Sequence, residues 1–326
     1  MSCSLDIVIV NWNTKGQLRE CLESIAAADI RGFELRRVVV VDNGSTDGSA
    51  SDTGGIGLPL EVIQNGRNLG FAAACNQGAR GSESDYLLFL NPDTRVYRDS
   101  LWKPVAFMQG PGSEKTGIAG IQLVDESGRA AVSCARFPTV SMYLSKMTGL
   151  SALFPRRFPS YMMTEWDYSA SGTVEQVIGA FFLIRRRLFE ELGRFDERFF
   201  VYFEEVDISY RAAMNGWKTQ YLADVRAFHR GQGSSHQVQG LRLFYSLRSR
   251  ILYGLKHFDG FEAFLLIVAT LGIEPVPRII ISLIRRSSPL ETIRGYMLLW
   301  TWFVRNAWRK QKKTGNINHS EGEIEL

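Results

Sequence analysis

The chain predicts an α/β fold on a mixed, mainly parallel sheet, followed by a helical extension. Two observations carry that prediction. The β-branched runs Ile7–Val10 and Val38–Val41 each end in polar turn residues, as buried parallel strands do, with a helical pattern between them. After Gly240 the pattern changes to helical spacing, with Leu241, Phe244, Tyr245, Ile251, Leu252 and Leu255 in register. Charge changes at the same place: residues 1–240 carry 25 basic and 27 acidic side chains, and 241–313 carry 13 and 4. The expected division is therefore 1–238, an α/β domain, and 239–326, a basic amphipathic extension with a polar tail.

Element by element, Lys15–Ala28 reads as a helix with Leu18, Cys21, Leu22 and Ile25 on one face, which completes a βαβ opening. Leu60–Ile63, Phe71–Ala79 and Tyr86–Leu90 continue the strand and helix alternation. From Arg136 to Thr173 the periodicity fails around Pro138, Pro155 and Pro159, and the segment reads as a mobile, partly apolar loop. Val177–Ile184 reads as a strand, Arg187–Leu192 and Val201–Met214 as helices, and Gln220–His229 as the last strand. Ligands of such sheets collect at the carboxyl ends of the strands.

With 326 residues and 45% hydrophobic content the chain can bury a full core. Cys3, Cys21, Cys75 and Cys134 are scattered, as in a protein of a reducing compartment. Met1–Asp6 lacks a basic leader, and the longest apolar stretches, Ala263–Ile273 and Gly295–Val304, are shorter than the roughly 20 residues of a transmembrane helix. A membrane role is therefore expected to be peripheral, through basic helices that meet an anionic surface. Nucleic acid is the other anionic partner that the charge suggests, but no nucleic-acid motif accompanies it.

Four segments carry chemistry. Val41-Asp42-Asn43-Gly44-Ser45-Thr46-Asp47-Gly48 ends a strand in a carboxylate that can accept a hydrogen bond from a base imide; an ordinary Asp-Asn-Gly turn reads the same way. Asn65-Gly66-Arg67-Asn68-Leu69-Gly70-Phe71 offers amide and guanidinium donors, or simply a helix cap. In Leu90-Asn91-Pro92-Asp93 a buried strand delivers a carboxylate that can share Mg²⁺ with donor phosphates, and His229, ending the last strand, can complete the coordination and favour Mn²⁺. In Phe203-Glu204-Glu205-Val206-Asp207 three acids follow an aromatic run, where partial exclusion of water raises a carboxylate pKa toward neutrality. Helix-start electrostatics and an Asp207–Arg211 pair explain the same acids structurally.

In this order, together with Ile9-Val10-Asn11-Trp12-Asn13, Gly179-Ala180-Phe181-Phe182 and His229 with Gly231, Ser234 and Ser235, these segments resemble the family 2 glycosyltransferases of GT-A fold. Within that family they resemble the bacterial rhamnosyltransferase-like branch, over about residues 5–236. The resemblance implies donor contacts from Asn11, Asn13, Asp42, Asn68, Gly70 and Asn91, with Asp42 on the nucleobase. It implies a divalent cation, Mn²⁺ or Mg²⁺, on Asp93 and His229, and a general base at the second acid of a Glu-Asp motif. Here that acid is Glu205, one methylene longer, with Glu204 and Asp207 as supporting acids. Glu175-Gln176 departs from the branch's usual acid followed by an aromatic, so acceptor contacts are expected to differ there.

The expected activity is inverting transfer of L-rhamnose from dTDP-L-rhamnose to a lipid-linked saccharide, in cell-surface polysaccharide synthesis at the cytoplasmic face of the membrane. A UDP-hexose or UDP-N-acetylhexosamine donor is the enzymatic alternative. A nucleotide-sugar-binding scaffold is the other; it could dispense with Glu205.

Overall fold

The computed structural model describes residues 3–231, 239–284 and 288–313, with side chains as far as 306. The β-branched opening runs form β1 (Cys3–Asn11) and β2 (Phe33–Asp42) around α1 (Gln17–Ala26), whose Leu18, Cys21, Leu22 and Ile25 are buried. Next come β3 (Leu60–Gln64), α2 (Phe71–Gly78), β4 (Tyr86–Leu90), β5 (Thr94–Val96), α3 (Trp102–Gln109), β6 (Thr116–Val124) and β7 (Cys134–Ala135). The middle of the chain holds α4 (Val140–Met147), α5 (Leu150–Leu153), β8 (Gly172–Val174), β9 (Gln176–Val177), β10 (Phe181–Arg185) and α6 (Arg186–Glu191). It continues through α7 (Glu204–Met214) and β11 (Lys218–His229) to α8 (Gln239–His257), α9 (Gly260–Val268), α10 (Pro275–Ile284) and α11 (Pro289–Lys313).

The main sheet runs β3-β2-β1-β4-β10-β6-β11-β5, with β8 added beside β11. β1, β2, β3 and β4 are mutually parallel, as are β6 and β11, whereas β10 runs antiparallel between β4 and β6. Apolar side chains alternate between two cores on the faces of this sheet: Ile7, Ile9, Val38 and Val40 on one, Val8, Val10, Val39 and Val41 on the other. Parallel strands buried on both faces need such unbroken β-branched runs.

Three expectations are corrected. Arg136–Thr173 is not simply a loop: Thr139, just after Pro138, accepts the Met142 N–H and caps α4, whose Val140 and Tyr143 pack with Phe203, Val206, Tyr253 and Leu266. Val177–Ile184 is two strands. Ile178 N–H donates to Ser133 on the small β7–β9 sheet, and the Ala180 carbonyl accepts from Asn91, so the chain changes sheets between them. The helix expected from Val201 begins at Glu204, because Tyr202 and Phe203 take positive φ angles of 68° and 74°.

The C-terminal helices do not hang free of the α/β domain. The Ser249 hydroxyl donates to the Val201 carbonyl, Tyr245 stacks on Phe200 with ring centres 4.5 Å apart, and Tyr253 joins the cluster around Phe203. Of the expected basic residues of the extension, Arg285, Arg286, Arg309, Lys310, Lys312 and Lys313 lie outside the described side chains, as do Ser234 and Ser235 of the motif after His229.

Candidate active site

The parallel strands bring Asn11, Asp42 and Asn91 to one edge, since Asn11 pairs with Asp42 and Ile9 with Leu90 in register. The Asn11 amide donates to Asp42 Oδ1 at 2.8 Å, Ser49 Oγ at 2.9 Å and Ser45 Oγ at 3.1 Å. Asp42 also accepts from the Ser45 hydroxyl and from Ser45 N–H. A buried carboxylate costs several kcal/mol unless hydrogen-bonded, and these donors satisfy it. Asp42, 2% exposed, thus braces the turn that follows it.

The turn is bound again from the other side. Asn13, at φ 52°, accepts from Thr46 N–H at 2.8 Å, and Asp47 accepts from Lys15 N–H at 2.7 Å and from Ser49. Burial tends to raise the Asp47 pKa, but the bonds from Ser49 and Lys15 outweigh it and hold the carboxyl below its usual value. The Asn43 amide reaches the Asn68 side chain at 3.3 Å and the Gly70 carbonyl at 3.1 Å, joining the first two motifs. Gly70 has φ 92°, and a Cβ there would lie 2.7 Å from the Phe200 carbonyl. That carbonyl accepts from Phe71 N–H, so the loop feeding α2 is tied to the loop feeding α7.

Asn91 N–H donates to the Ala180 carbonyl, which holds the Asn91–Asp93 turn at the start of β10. β5, leaving this turn, pairs with the end of β11, opposing Thr94 to His229. His229 Nε2 consequently lies 3.3 Å from Asp93 Oδ1, with both side chains slightly exposed. Adjacent ligands of an octahedral ion at 2.0–2.1 Å are about 3 Å apart, so the pair fits one divalent cation. Among the described residues no third His, Cys, Asp or Glu joins them. A cation held by this pair would need its further ligands from outside these side chains, such as phosphate oxygens and water.

α7 opens with the three acids in two different environments. Asp207, fully buried, receives Arg211 Nε at 2.8 Å, Lys256 Nζ at 2.6 Å and His257 Nε2 at 2.7 Å. Burial works to raise its pKa, but His257, Arg211 and Lys256 together overcome it and leave the carboxyl below the usual value. Glu204 and Glu205 each keep one shielded carboxylate oxygen, Oε2, with no hydrogen-bond partner. Burial, and then the Glu205 charge, pushes Glu204 well up; burial also raises Glu205, which backbone amides at the helix start draw down only in part. Glu205 is the more exposed of the two. Burial raises the Cys75 thiol of α2, and the Glu204 and then the Glu205 charge add to it; burial and the Glu205 charge raise Tyr161 likewise.

The expected site residues are thus gathered in two linked groups, Asn11 to Gly70 around Asp42 and Asn91 to His229 around Asp93, with Glu204 and Glu205 opening α7 alongside. Sequence reasoning missed Asn43, Ser45, Asp47 and Ser49 as the braces of the turn, and Lys256 and His257 as partners of Asp207. The first four lie within the motif already read. The last two are about 50 residues from Asp207 and carry no local signal.

The mixed, mainly parallel sheet with its flanking helices is shared with solved structures of GT-A fold. Among solved structures of this fold, GalNAc-T7 with UDP, GalNAc and Mn²⁺ aligns at TM-score 0.56 and 18% identity, over 79% of this chain and 49% of that one. The mannosyltransferase PcManGT from Pyrobaculum calidifontis, in complex with GDP-Man and Mn²⁺, aligns at TM-score 0.53 and 18% identity, over 94% and 87%. This chain spans about half the length of the GalNAc-T7 chain.

Residues 6–193 match the family model for glycosyl transferase family 2, and the chain belongs to that family. It falls in the rhamnosyltransferase-like branch. It is 27% identical over 254 residues to the N-acetylglucosaminyl-diphospho-decaprenol L-rhamnosyltransferase of Mycobacterium tuberculosis, covering 70% of this chain and 76% of that one. It is 24% identical over 261 residues to rhamnosyltransferase WbbL of Escherichia coli, covering 76% and 91%. The protein is a glycosyltransferase.

Proposed function

We propose that the protein moves L-rhamnose from dTDP-L-rhamnose onto a lipid-linked saccharide, with inversion and with help from Mn²⁺ or Mg²⁺. The observation that carries the reading is Glu205: a carboxylate with raised pKa and an unpartnered oxygen, at the start of α7, whose preceding loop is tied to the α2 loop by the Phe71 N–H donating to the Phe200 carbonyl. An inverting transfer needs a group to take the acceptor hydroxyl's proton as that oxygen attacks the anomeric carbon. Glu205 takes that role, and Glu204, more deeply buried, is pushed well up by burial and by the Glu205 charge. Environments that push two neighbouring carboxyl groups apart in this way separate their roles.

The turn from Asp42 to Gly48 receives the nucleobase, and Asn13, Asn68 and Gly70 line the way to the diphosphate. Asp93 and His229 would hold the cation, which neutralises the departing diphosphate when bound. Rhamnose and the lipid-linked acceptor are taken from what the mycobacterial and Escherichia coli relatives are named for. The test is a donor panel: the protein with Mn²⁺ or Mg²⁺, single nucleotide sugars and a lipid-diphosphate saccharide, with the released nucleotide identified. Release of dTDP from dTDP-L-rhamnose is expected, and release of UDP from a UDP-hexose alone would reassign the donor.

A further inference from the structure

Helices α9, α10 and α11 carry an outward apolar face formed by Phe264, Val268, Ile273, Val276, Ile280 and Leu283, all well exposed. α11 extends it with Leu290, Met297 and Val304. Soluble monomers rarely show contiguous apolar patches beyond a few hundred Å². The inner side of the same helices is settled: Ala263 and Leu266 of α9 are buried, and Leu266 packs with Tyr143, Val206 and Tyr253, while Tyr296 and Leu299 of α11 pack on Phe244, Leu247 and Ile251 of α8. Residues 232–238, 285–287 and 314–326, outside the described residues, form short and mostly polar segments.

We infer that this face embeds in one leaflet of a phospholipid bilayer, in the plane of the membrane, by apolar insertion that charge assists but does not drive. Glu274 decides between a helix pair that spans the bilayer and one that lies in its plane. No single described helix is long and apolar enough to cross a membrane, but Gly260–Ile273 and Pro275–Ile284, which meet at a 41° bend, pass together on length and composition. A bilayer-spanning reading puts the bend near mid-membrane. At the bend Glu274 is buried and paired inward with Arg250 of α8 and Arg278 of α10. Arg250 in turn lies over the Tyr143 ring of α4, 4.9 Å from its centre. The middle of the segment is therefore bolted to the catalytic domain, and a span would drag that domain and two arginines into hydrocarbon, at high cost. Lying in the plane, the segment keeps this ion pair on the protein side and turns its apolar side chains outward.

Other details suit the interface. The Trp300 indole N–H donates to the Leu271 carbonyl, so its half-exposed ring meets the outside as an apolar surface. Arg294 and Arg305 are exposed on α11, where guanidinium groups can meet anionic headgroups. In-plane helices of this kind bury an apolar face to about 5–10 Å.

The test is flotation of the full chain with phosphatidylcholine vesicles, with and without phosphatidylglycerol, at low salt and at about 1 M, where the Debye length is roughly 3 Å. The parent is expected to float with both vesicles and to stay bound at high salt. The variant Val276→Glu/Ile280→Glu/Leu283→Glu is expected to lose binding about tenfold or more, with its melting temperature and nucleotide affinity unchanged. Those two readouts separate loss of membrane binding from loss of the proposed transferase activity. Binding abolished by salt, or a variant that floats like the parent, overturns the inference. So does a parent that fails to float, whether it stays monomeric or sediments as a dimer that the variant abolishes, the sign of a second copy on this face. Should the triple variant unfold, Ile280→Cys in a Cys3→Ser background, carrying an environment-sensitive fluorophore, reads the same claim. Its emission must shift to the blue on vesicles, and an unshifted spectrum contradicts embedding.

Discussion

His257 Nε2 lies 2.7 Å from Asp207 Oδ1, which fastens α8 to the first turn of the helix that carries Glu204 and Glu205. Arg211 and Lys256 complete the cage around the same carboxylate. The C-terminal helices therefore belong to the architecture of the site, because the position of α7 depends on them. Removing one partner of a buried ion pair costs about 3–5 kcal/mol, so Asp207→Asn should lower stability by that order in denaturant titrations. The pH dependence follows from the lowered pKa. Asp207 contributes stability above its unfolded pKa, and that contribution is lost as pH falls through the folded value. Asp207→Asn should lack this acid-limb loss, while its turnover at neutral pH falls far less than that of Glu205→Gln.

Glu204 carries the opposite sign. Its folded pKa is raised by burial and by Glu205, so the stability contributed by Glu204 is present below the unfolded carboxyl pKa and is lost as pH rises through the folded one. Glu204→Gln should raise the melting temperature at neutral pH and flatten its decline between acid and neutral pH. A thermal melt series across pH, parent against variant, checks this; parallel curves contradict the assignment of burial to Glu204.

Asp93→Ala should abolish the metal-dependent part of donor binding and leave the melting temperature near that of the parent. His229→Ala should weaken the same site and change its preference between Mn²⁺ and Mg²⁺. Calorimetry of nucleotide diphosphate with each ion measures both, and unchanged affinity in Asp93→Ala removes this pair from the metal site.

Gly70→Ala places a methyl 2.7 Å from the Phe200 carbonyl at a backbone φ of 92°. Strain of this kind costs about 1–3 kcal/mol, and it falls on the contact between the α2 loop and the α7 loop. Donor affinity and turnover should both drop, with a loss of stability of that size in chemical denaturation.

Much of this fold was legible in the sequence, because its strands are long apolar runs that end in polar turns. Ile7–Val10, Val38–Val41 and Tyr86–Leu90 all lie within the strands expected of them. β6 was not legible. Its run Thr116–Val124 is interrupted by Gly117 and Gly120, which weaken a strand pattern. Both are there for space, since Cβ atoms would meet Leu188 and Val177 at 2.3 Å and 2.7 Å. The start of α7 was misread for a related reason: Val201, Tyr202 and Phe203 suit a helix locally, but tertiary ties at Phe200, Val201 and Phe203 force a left-handed turn before Glu204. Asp93 and His229, 136 positions apart, were read as ligands of one cation from their strand-end positions and from the resemblance, and β5 against β11 supplies the physical reason. The cage around Asp207 was half legible, since Arg211 follows at helical spacing whereas Lys256 and His257 arrive from another helix.

The central claim is that Glu205 takes the proton of the acceptor hydroxyl, and steady-state turnover of Glu205→Gln tests it most directly. Gln keeps the shape and cannot accept the proton, and general-base catalysis typically contributes about 10²–10⁴-fold. With donor, Mn²⁺ and a lipid-diphosphate saccharide, nucleotide release by Glu205→Gln should fall by that factor at unchanged donor affinity, while Glu204→Gln retains most of its rate. Parental turnover in Glu205→Gln, or a collapse confined to Glu204→Gln, would contradict the account.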